Sequence, residues 1–491
     1  MAEHFDVVIV GAGLSGIGQA YHLQRDCPDR TFTILEGRGA IGGTWDLFRY
    51  PGVRSDSDMH TLGFAFQPWT AAKAIADGPS IRRYIEDTAR THGIDRHIRF
   101  GHRVTAADWS DETACWTVDV EGPDGAELRF RCNFLCLCSG YYNYARGHAP
   151  AFAGQEQFAG QIVHPQFWPE TLDYAGKRVV VIGSGATAMT LVPELARKAA
   201  QVTMLQRSPT YVVSRPAEDR IANGLRRILP DRLAYGVTRW KNVLLGQLFY
   251  TIARKRPEGF KRRLIAMVRD QLGSDYDVDS HFTPRYAPWD QRLCLVPDAD
   301  LFDAIKAGRA DVVTDTIDTF TPGGIRLTSG SELPADIIVT ATGLEVQLLS
   351  GIRFTLDGVP VDWPNRVQYK GMMFSDVPNL SYTFGYTNAS WTLKADLVAG
   401  YVCRLLRAMR RRGMARVTPR VADPAMARLP FVDFTSGYVA RAMHLLPQQG
   451  SRKPWKLNQN YALDVLALRY GSIDDEMEFT PLTQAGTRRV A

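Results

Sequence analysis

Two stretches of this chain share one hydrophobic pattern: a short apolar β-branched run, a glycine turn, then apolar positions at helical spacing. The first is "FDVVIVGAGLSGIGQAYHL" (5–23), in which Ile17, Tyr21 and Leu23 can face a sheet. The second is "KRVVVIGSGATAMTLVPEL" (177–195). Each leads into another strand pattern, "TFTILEG" (31–37) and "QVTMLQR" (201–207). The order predicts two βαβ openings, and so two parallel sheets with crossover helices.

Further strand patterns fill the space between the openings: "HIRFGHRVT", "WTVDVEG" and "NFLCLCSG". A long helical region rich in Arg, Leu and Tyr follows the second, over roughly 217–280. Strands return at "ADVVTDTI", "GIRLTSG" and "DIIVTATG", the last ending in small residues that suit a recrossing between domains. "VPNLSYTFGYTNASW" then leads an amphipathic helix from Trp391 to about Arg412, stopped by Gly413. Leu393, Leu397, Val398, Tyr401, Val402, Leu405 and Leu406 form its core stripe, and "RAMRRRG" places cations at its C-terminus.

The expected fold is α/β, with two Rossmann-like dinucleotide-binding domains and a helical subdomain inserted in the second. The expected division is 1–145 for the first domain, 146–216 and 286–345 for the second, 217–285 for the helical subdomain, and 346–491 returning to the first. A chain of 491 residues is too long for one core, in keeping with this division.

Composition narrows the partners. The net charge of +6 favours anionic ligands, but no basic tract is interleaved with exposed aromatics, so nucleic acid is not expected. The seven cysteines form neither a CxxC pair nor a disulfide framework, which implies a reducing, cytoplasmic setting. Cys136 and Cys138 read as one face of a buried strand, and no metal site is expected. "MAEHFDVVIV" passes directly into a strand with no basic leader, and no apolar run reaches membrane-spanning length. The apolar stretch "RWKNVLLGQLFYTIARKR" (239–256), with its basic ends, is expected as a packed helix rather than a membrane contact.

The glycine turns carry the chemistry. Gly11-x-Gly13-x-x-Gly16 follows a strand and opens a helix, the setting in which backbone can approach a pyrophosphate at a helix N-terminus. Twenty residues past Gly16, Glu36 ends the next strand, where a carboxylate accepts hydrogen bonds from ribose hydroxyls. The second turn is Gly183-x-Gly185-x-x-Ala188, and nineteen residues past Ala188 the equivalent strand end carries Arg207, then Ser208. A guanidinium there binds a 2′-phosphate that a carboxylate would repel. One acidic and one basic site imply two different dinucleotides: FAD held permanently and NADPH as reductant. "GGTWDLFRYPG" supports the flavin: its two glycines, Gly42 and Gly43, permit a close backbone pass, Trp45 and Tyr50 offer flat faces for rings, and Gly43, Thr44, Trp45 and Asp56 are expected against the cofactor.

Phe158-x-Gly160-x-x-x-His164-x-x-x-Trp168-Pro169, lying between the two turns, resembles the fingerprint of type I Baeyer–Villiger monooxygenases. A second signature, Gly42-Gly43-x-Trp45-x-x-x-x-Tyr50-Pro51-Gly52-x-x-x-Asp56, is similar to that family as well. The sister flavin monooxygenases that oxygenate amines and sulfides usually carry Tyr or Phe in place of Trp168. Long stretches, among them "PWDQRLCLVP" and "QGSRKPWKLNQNY", resemble the ethionamide-activating monooxygenase branch.

The resemblance implies an activity. NADPH reduces FAD, O2 adds to give a C4a-peroxyflavin, and one oxygen atom is inserted into a small-molecule ketone to give an ester or lactone. It makes Arg292 the active-site arginine and Asp56 the acid that positions it. It places Phe158, Gly160, His164 and Trp168 at the hinge between the nucleotide domains. It sets the helix start at Asn388–Trp391 toward the flavin, with Trp391 shaping the pocket together with loops near 275–295 and 425–450. Gln291 departs from the Lys that many members carry there, leaving 2′-phosphate selection to Arg207 and Ser208. The alternative within the fold is a flavin monooxygenase acting on sulfur, in a sulfide or thioamide. A disulfide reductase would need the missing CxxC, and a redox sensor without turnover has no need of the Asp56 and Arg292 pair.

Overall fold

The computed structural model describes residues 2–432 and 436–482. Strand β1 (Glu3–Val10) lies between β2 (Phe32–Glu36) and β6 (Glu127–Leu137), parallel to both. Its last four residues are buried, which is why they read as an unbroken apolar run rather than an alternation. Helix α1 (Leu14–Asp26) makes the crossover from β1 to β2 and buries Ile17 and Leu23, with Tyr21 half-buried. Strands β3 (Ile98–Phe100), β4 (Arg103–Ser110) and β5 (Cys115–Glu121) extend the sheet.

The second sheet is parallel throughout. Edge strand β7 (Gln161–Val163) precedes β8 (Arg178–Ile182), helix α3 (Ala186–Leu195) and β9 (Gln201–Gln206); α2 (Gly78–Thr91) belongs to the first domain. With β10 (Ala310–Thr314) and β11 (Ile337–Thr340) the order is β10-β9-β8-β11-β7. The chain then returns: β12 (Arg353–Leu356), β13 (Val359–Pro360) and β14 (Leu380–Tyr382) complete a nine-stranded first sheet among the described residues.

The chain crosses between the sheets after β6 and again after β11, and the two crossing segments pair with each other. The Asn143 N–H donates to Glu345 O at 2.8 Å, Gln347 N–H to Tyr141 O at 2.9 Å, and His148 N–H to Gly343 O at 3.1 Å. An antiparallel ribbon therefore joins the two sheets.

Four helices form the insert: α4 (Arg220–Ile228), α5 (Asp231–Lys255), α6 (Pro257–Leu272) and α7 (Val278–Phe282). Tyr235 of α5 enters the core of the first domain, while Val268, Val278 and Phe282 enter that of the second. Arg239 of α5 is buried and donates to the carbonyls of His60 at 2.8 Å and Gly63 at 2.7 Å. The other face of α5 departs from the packed helix expected. Leu233, Val237, Trp240, Leu244, Leu248 and Ile252 stay 39–58% exposed. Helical spacing of apolar residues is the same whether the stripe meets a core or not, so periodicity could not separate the two.

Helix α8 (Trp391–Arg412) packs along α1 and buries all seven positions of the expected stripe. Gly413 closes it with φ of 62°, the left-handed cap for which glycine is suited.

Candidate functional site

The first glycine turn is a cradle no side chain could enter. At Gly11, with φ of 101°, a Cβ would lie 2.7 Å from the carbonyl oxygen of Cys138; at Gly16 it would lie 1.9 Å from that of Gly11. Gly13 caps α1 with no side-chain hydrogen bond, so the first amides of the helix are not satisfied by a cap. Glu36 stands beside them, 6% exposed. Its Oε2 accepts from the Ala12 N–H at 2.7 Å and its Oε1 from the Arg38 N–H at 2.9 Å. Burial raises the Glu36 pKa above the usual carboxylate range, and the two N–H donors and the Arg38 charge oppose that shift.

These groups open onto a cavity of about 580 Å³. Gly11, Gly13 and Glu36 line one end, and Gly43, Thr44 and Trp45 continue the wall. Asp56, Arg292 and Trp391 line it too. Asp56 and Arg292, 236 positions apart, meet in a two-point contact: Arg292 Nε donates to Asp56 Oδ2 at 2.8 Å and Nη2 to Oδ1 at 3.2 Å. Arg292 is 40% exposed. Trp391 opens α8, whose N-cap Ser390 makes no side-chain cap either. By contrast α2, α4 and α7 are each capped by an aspartate side chain. Helices α5 and α6 of the insert lack a side-chain cap as well, but it is α1 and α8 whose uncapped starts open onto the glycine turn and the cavity, which leaves their N-termini to an anionic ligand. Open backbone cradle, uncapped helix start and acidic strand end together fit FAD.

The aromatic wall was not legible beforehand. Tyr141 stacks on Trp391 with centroids 5.0 Å apart at 12°, and Phe384 meets the same indole edge-on at 5.2 Å. Trp391 Nε1 donates to Ser15 Oγ at 3.2 Å, tying α8 to α1. Phe431, Val432, Val439 and Leu446 close the far side, so the 425–450 loop does shape the pocket, whereas of 275–295 only Arg292 lines it. One aromatic is corrected: Tyr50 offers no face to the cavity but is buried in the core of the second domain. Burial pushes its phenol up to about 12.

The second glycine turn is built alike but open. Gly183 has φ of 130°, and a Cβ there would lie 2.4 Å from Ala341 O; Gly185 has nothing within 4 Å of such a Cβ. Gly185 caps α3 without a side-chain bond, and Ala188 is fully buried beneath. Arg207 and Ser208, just past β9, are exposed, and Ser184 Oγ donates to Ser208 O at 3.1 Å. None of the five residues lines the first cavity.

The fingerprint segment is the edge of the second sheet. Phe158 is buried edge-on to Phe320 at 6.4 Å, and Gly160 lies so close to Asp336 O that a Cβ would be 2.3 Å from it. His164 follows β7, and its Nδ1 accepts from the Gln166 N–H at 3.2 Å. Its ring rests on Gly147 of the first crossing segment, where a Cβ would be 2.0 Å from the imidazole. Burial lowers its pKa. Trp168 packs edge-on to Tyr174 at 6.3 Å. His164 and Gln166, whose amide donates to Asn143 O at 2.8 Å, bind the edge of the second sheet to the ribbon.

The flavin-binding monooxygenase-like family profile matches residues 75–243, and a profile for an NAD(P)-binding Rossmann-like domain matches residues 9–77. The chain is 57% identical over 482 residues to the FAD-containing monooxygenase EthA of Mycolicibacterium smegmatis, covering 98% of each chain. Among solved structures, cyclohexanone monooxygenase bound to ε-caprolactone aligns with a TM-score of 0.77 at 20% identity, over 98% of this chain and all of the other. A steroid monooxygenase bound to NADP aligns with a TM-score of 0.73 at 21% identity, over 97% of this chain and all of the other. These likenesses bear out the two-domain α/β fold. Cradle, paired turns and a full-length relative agree that this chain belongs to the EthA-like branch of the flavin monooxygenases, enzymes that work with FAD and NADPH.

Proposed function

We propose that this enzyme is a Baeyer–Villiger monooxygenase: a ketone, O2, NADPH and a proton give an ester or lactone, water and NADP+. The single observation that carries this reading is the Asp56–Arg292 pair on the wall of the flavin cavity. When bound, FAD reduced by NADPH supplies an oxygen atom from O2 in reactive form. Glu36 would hold its ribose, the N-terminus of α1 its pyrophosphate, and Gly43, Thr44, Trp45 and the start of α8 its remaining length.

The residues of the chain do the rest. As a ketone carbonyl becomes tetrahedral its oxygen gains negative charge, and Arg292 meets that charge with a cation it cannot lose by deprotonation. Asp56 accepts from both Nε and Nη2 and so fixes the plane of the guanidinium. Phe384, Phe431 and Val432 exclude water, which strengthens every electrostatic contact inside. Arg207 and Ser208 would bind the 2′-phosphate of NADPH, with more of that task theirs because Gln291 stands where the family often has Lys. Phe158, Gly160, His164 and Trp168 would transmit NADPH binding to the ribbon between domains. The division at 145, 216, 285 and 345 belongs to the same reading.

A second reading, oxygenation of sulfur, is favoured by the identity with an EthA relative. One substrate separates them: a molecule carrying both a methyl ketone and a thioether, its products identified by mass spectrometry. Ester formation supports the first reading, sulfoxide alone overturns it in favour of the second, and NADPH consumption with neither product overturns both.

A further inference from the structure

We propose that the helical insert docks on the surface of an anionic lipid bilayer through the exposed face of α5. Leu233, Val237, Trp240, Leu244, Leu248 and Ile252 recur every three or four residues and so form one stripe that winds slowly round the helix, roughly 28 Å long at the rise of an α-helix. All six are at least 39% exposed, and Lys241 and Thr251, polar residues among them, are only partly exposed. The patch widens on both sides. Leu245 and Phe249 flank it on α5, and Ile228 of α4 is 77% exposed. Trp240 packs on Tyr461 at 5.5 Å, and the segment after Tyr461 exposes Leu463 and Leu466. A continuous apolar face of this length on a chain with well-buried cores marks an interaction surface.

Charge identifies the occupant. Residues 220–263 hold twelve arginines and lysines against two acids, a net +10, while the whole chain is only +6, so everything else sums to −4. Arg227, Arg232, Lys255, Arg262 and Arg263 are exposed around the apolar face. Basic residues flanking a Trp- and Leu-rich stripe are the pattern of a helix lying in the plane of an anionic interface. A second copy of this chain is disfavoured, since pairing these faces would bring Arg227, Arg232, Lys255, Arg262 and Arg263 against the same cations of the other copy. Among the described residues no helix is long and apolar enough to cross a membrane, so the contact is at the surface. The far end of α5 also braces the loop that carries Arg292: Tyr250 packs edge-on to Trp289 at 5.6 Å, and Arg254 pairs with Asp290 at 2.7 Å.

The test is co-sedimentation of the full-length holoenzyme with phosphatidylcholine vesicles, with and without phosphatidylglycerol, at low and high salt. The parent is expected to sediment with the anionic vesicles and to be released by salt. The double variant Leu244→Glu/Leu248→Glu should bind about tenfold more weakly or worse, and Arg227→Glu/Lys255→Glu likewise. Both should keep bound flavin and the parent's rate on a water-soluble ketone, since these side chains are exposed and outside the cavity. The proposal is overturned if the parent stays in solution, if it binds neutral and anionic vesicles alike, or if the leucine variant binds as the parent does. It is equally overturned if light scattering shows a parent oligomer that the leucine variant splits to monomers, which would give the face to a second copy.

Discussion

At the first glycine turn, Glu36 is 6% exposed and both its oxygens accept backbone N–H groups; at the second, the matching strand end carries Arg207 in the open. The first turn gives onto a cavity of about 580 Å³ closed by residues from both ends of the chain, and the second lies outside it. One motif, used twice, has been buried once and left accessible once. Burial suits a cofactor that stays through many turnovers, and exposure suits one that must arrive and leave in each. The same sequence pattern therefore specifies the local turn, while its packing decides how long a ligand is held.

Substituting one glycine from each turn, Gly16 in the first (whose counterpart in the second is already Ala188) and Gly185 in the second, should expose that difference most strongly. Gly16→Ala forces a Cβ to 1.9 Å from Gly11 O, and strain of this kind costs about 1–3 kcal/mol. FAD retention should fall about 10- to 100-fold, read as loss of flavin absorbance on purification. Gly185→Ala meets nothing within 4 Å and should emerge yellow with its flavin absorbance intact. Equal loss at both positions would erase the contrast.

Arg207→Ala should act only on the open side. Losing a charge-assisted contact to a 2′-phosphate should raise KM for NADPH about tenfold or more. KM for NADH and flavin content should stay as they are. A matching rise for NADH would remove Arg207 from cofactor selection.

The smallest effect concerns acid. Arg178 holds the Asp336 carboxyl at about 2, against an ordinary 3.8, across β8 and β11 of the second sheet. Its folded value is depressed, so its stabilising contribution is present above 3.8 and lost as pH falls toward 2. Glu36 shifts the other way: with its folded value raised, protonation is favoured in the native state and acid does not weaken the first domain through it. Asp336→Asn should flatten the acid-unfolding profile of the second domain by less than about 1 kcal/mol, because the pair is exposed. Fluorescence-monitored unfolding across that window reads it, and an unchanged profile would show the pair to be idle.

What could be read beforehand was local. Gly11, Gly13, Gly16 and Glu36 are tied by short spacing and by the strand–turn–helix they interrupt, and the stripe of α8 by its own period. Tyr50 was misdirected because nothing near it specifies which of two adjoining cores will take the ring. The wall of Tyr141, Phe384 and Phe431 was invisible because its members come from three separate segments and meet only through the return of the chain to the first sheet. The exposed stripe of α5 was hidden for the opposite reason, its periodicity being that of any core helix. Asp56 and Arg292 were found only through resemblance, 236 positions apart, yet the fold brings them within 2.8 Å.

The most direct measurement is product analysis under isotopically labelled O2, comparing the parent with Arg292→Ala on a ketone substrate. The parent should place one labelled oxygen atom in the ester. The variant should keep its flavin and its reduction by NADPH, make at least about 100-fold less ester, and release hydrogen peroxide instead. Ester formed by the variant at the parent's rate, or a parent that makes none from any ketone offered, would contradict the role given to Arg292.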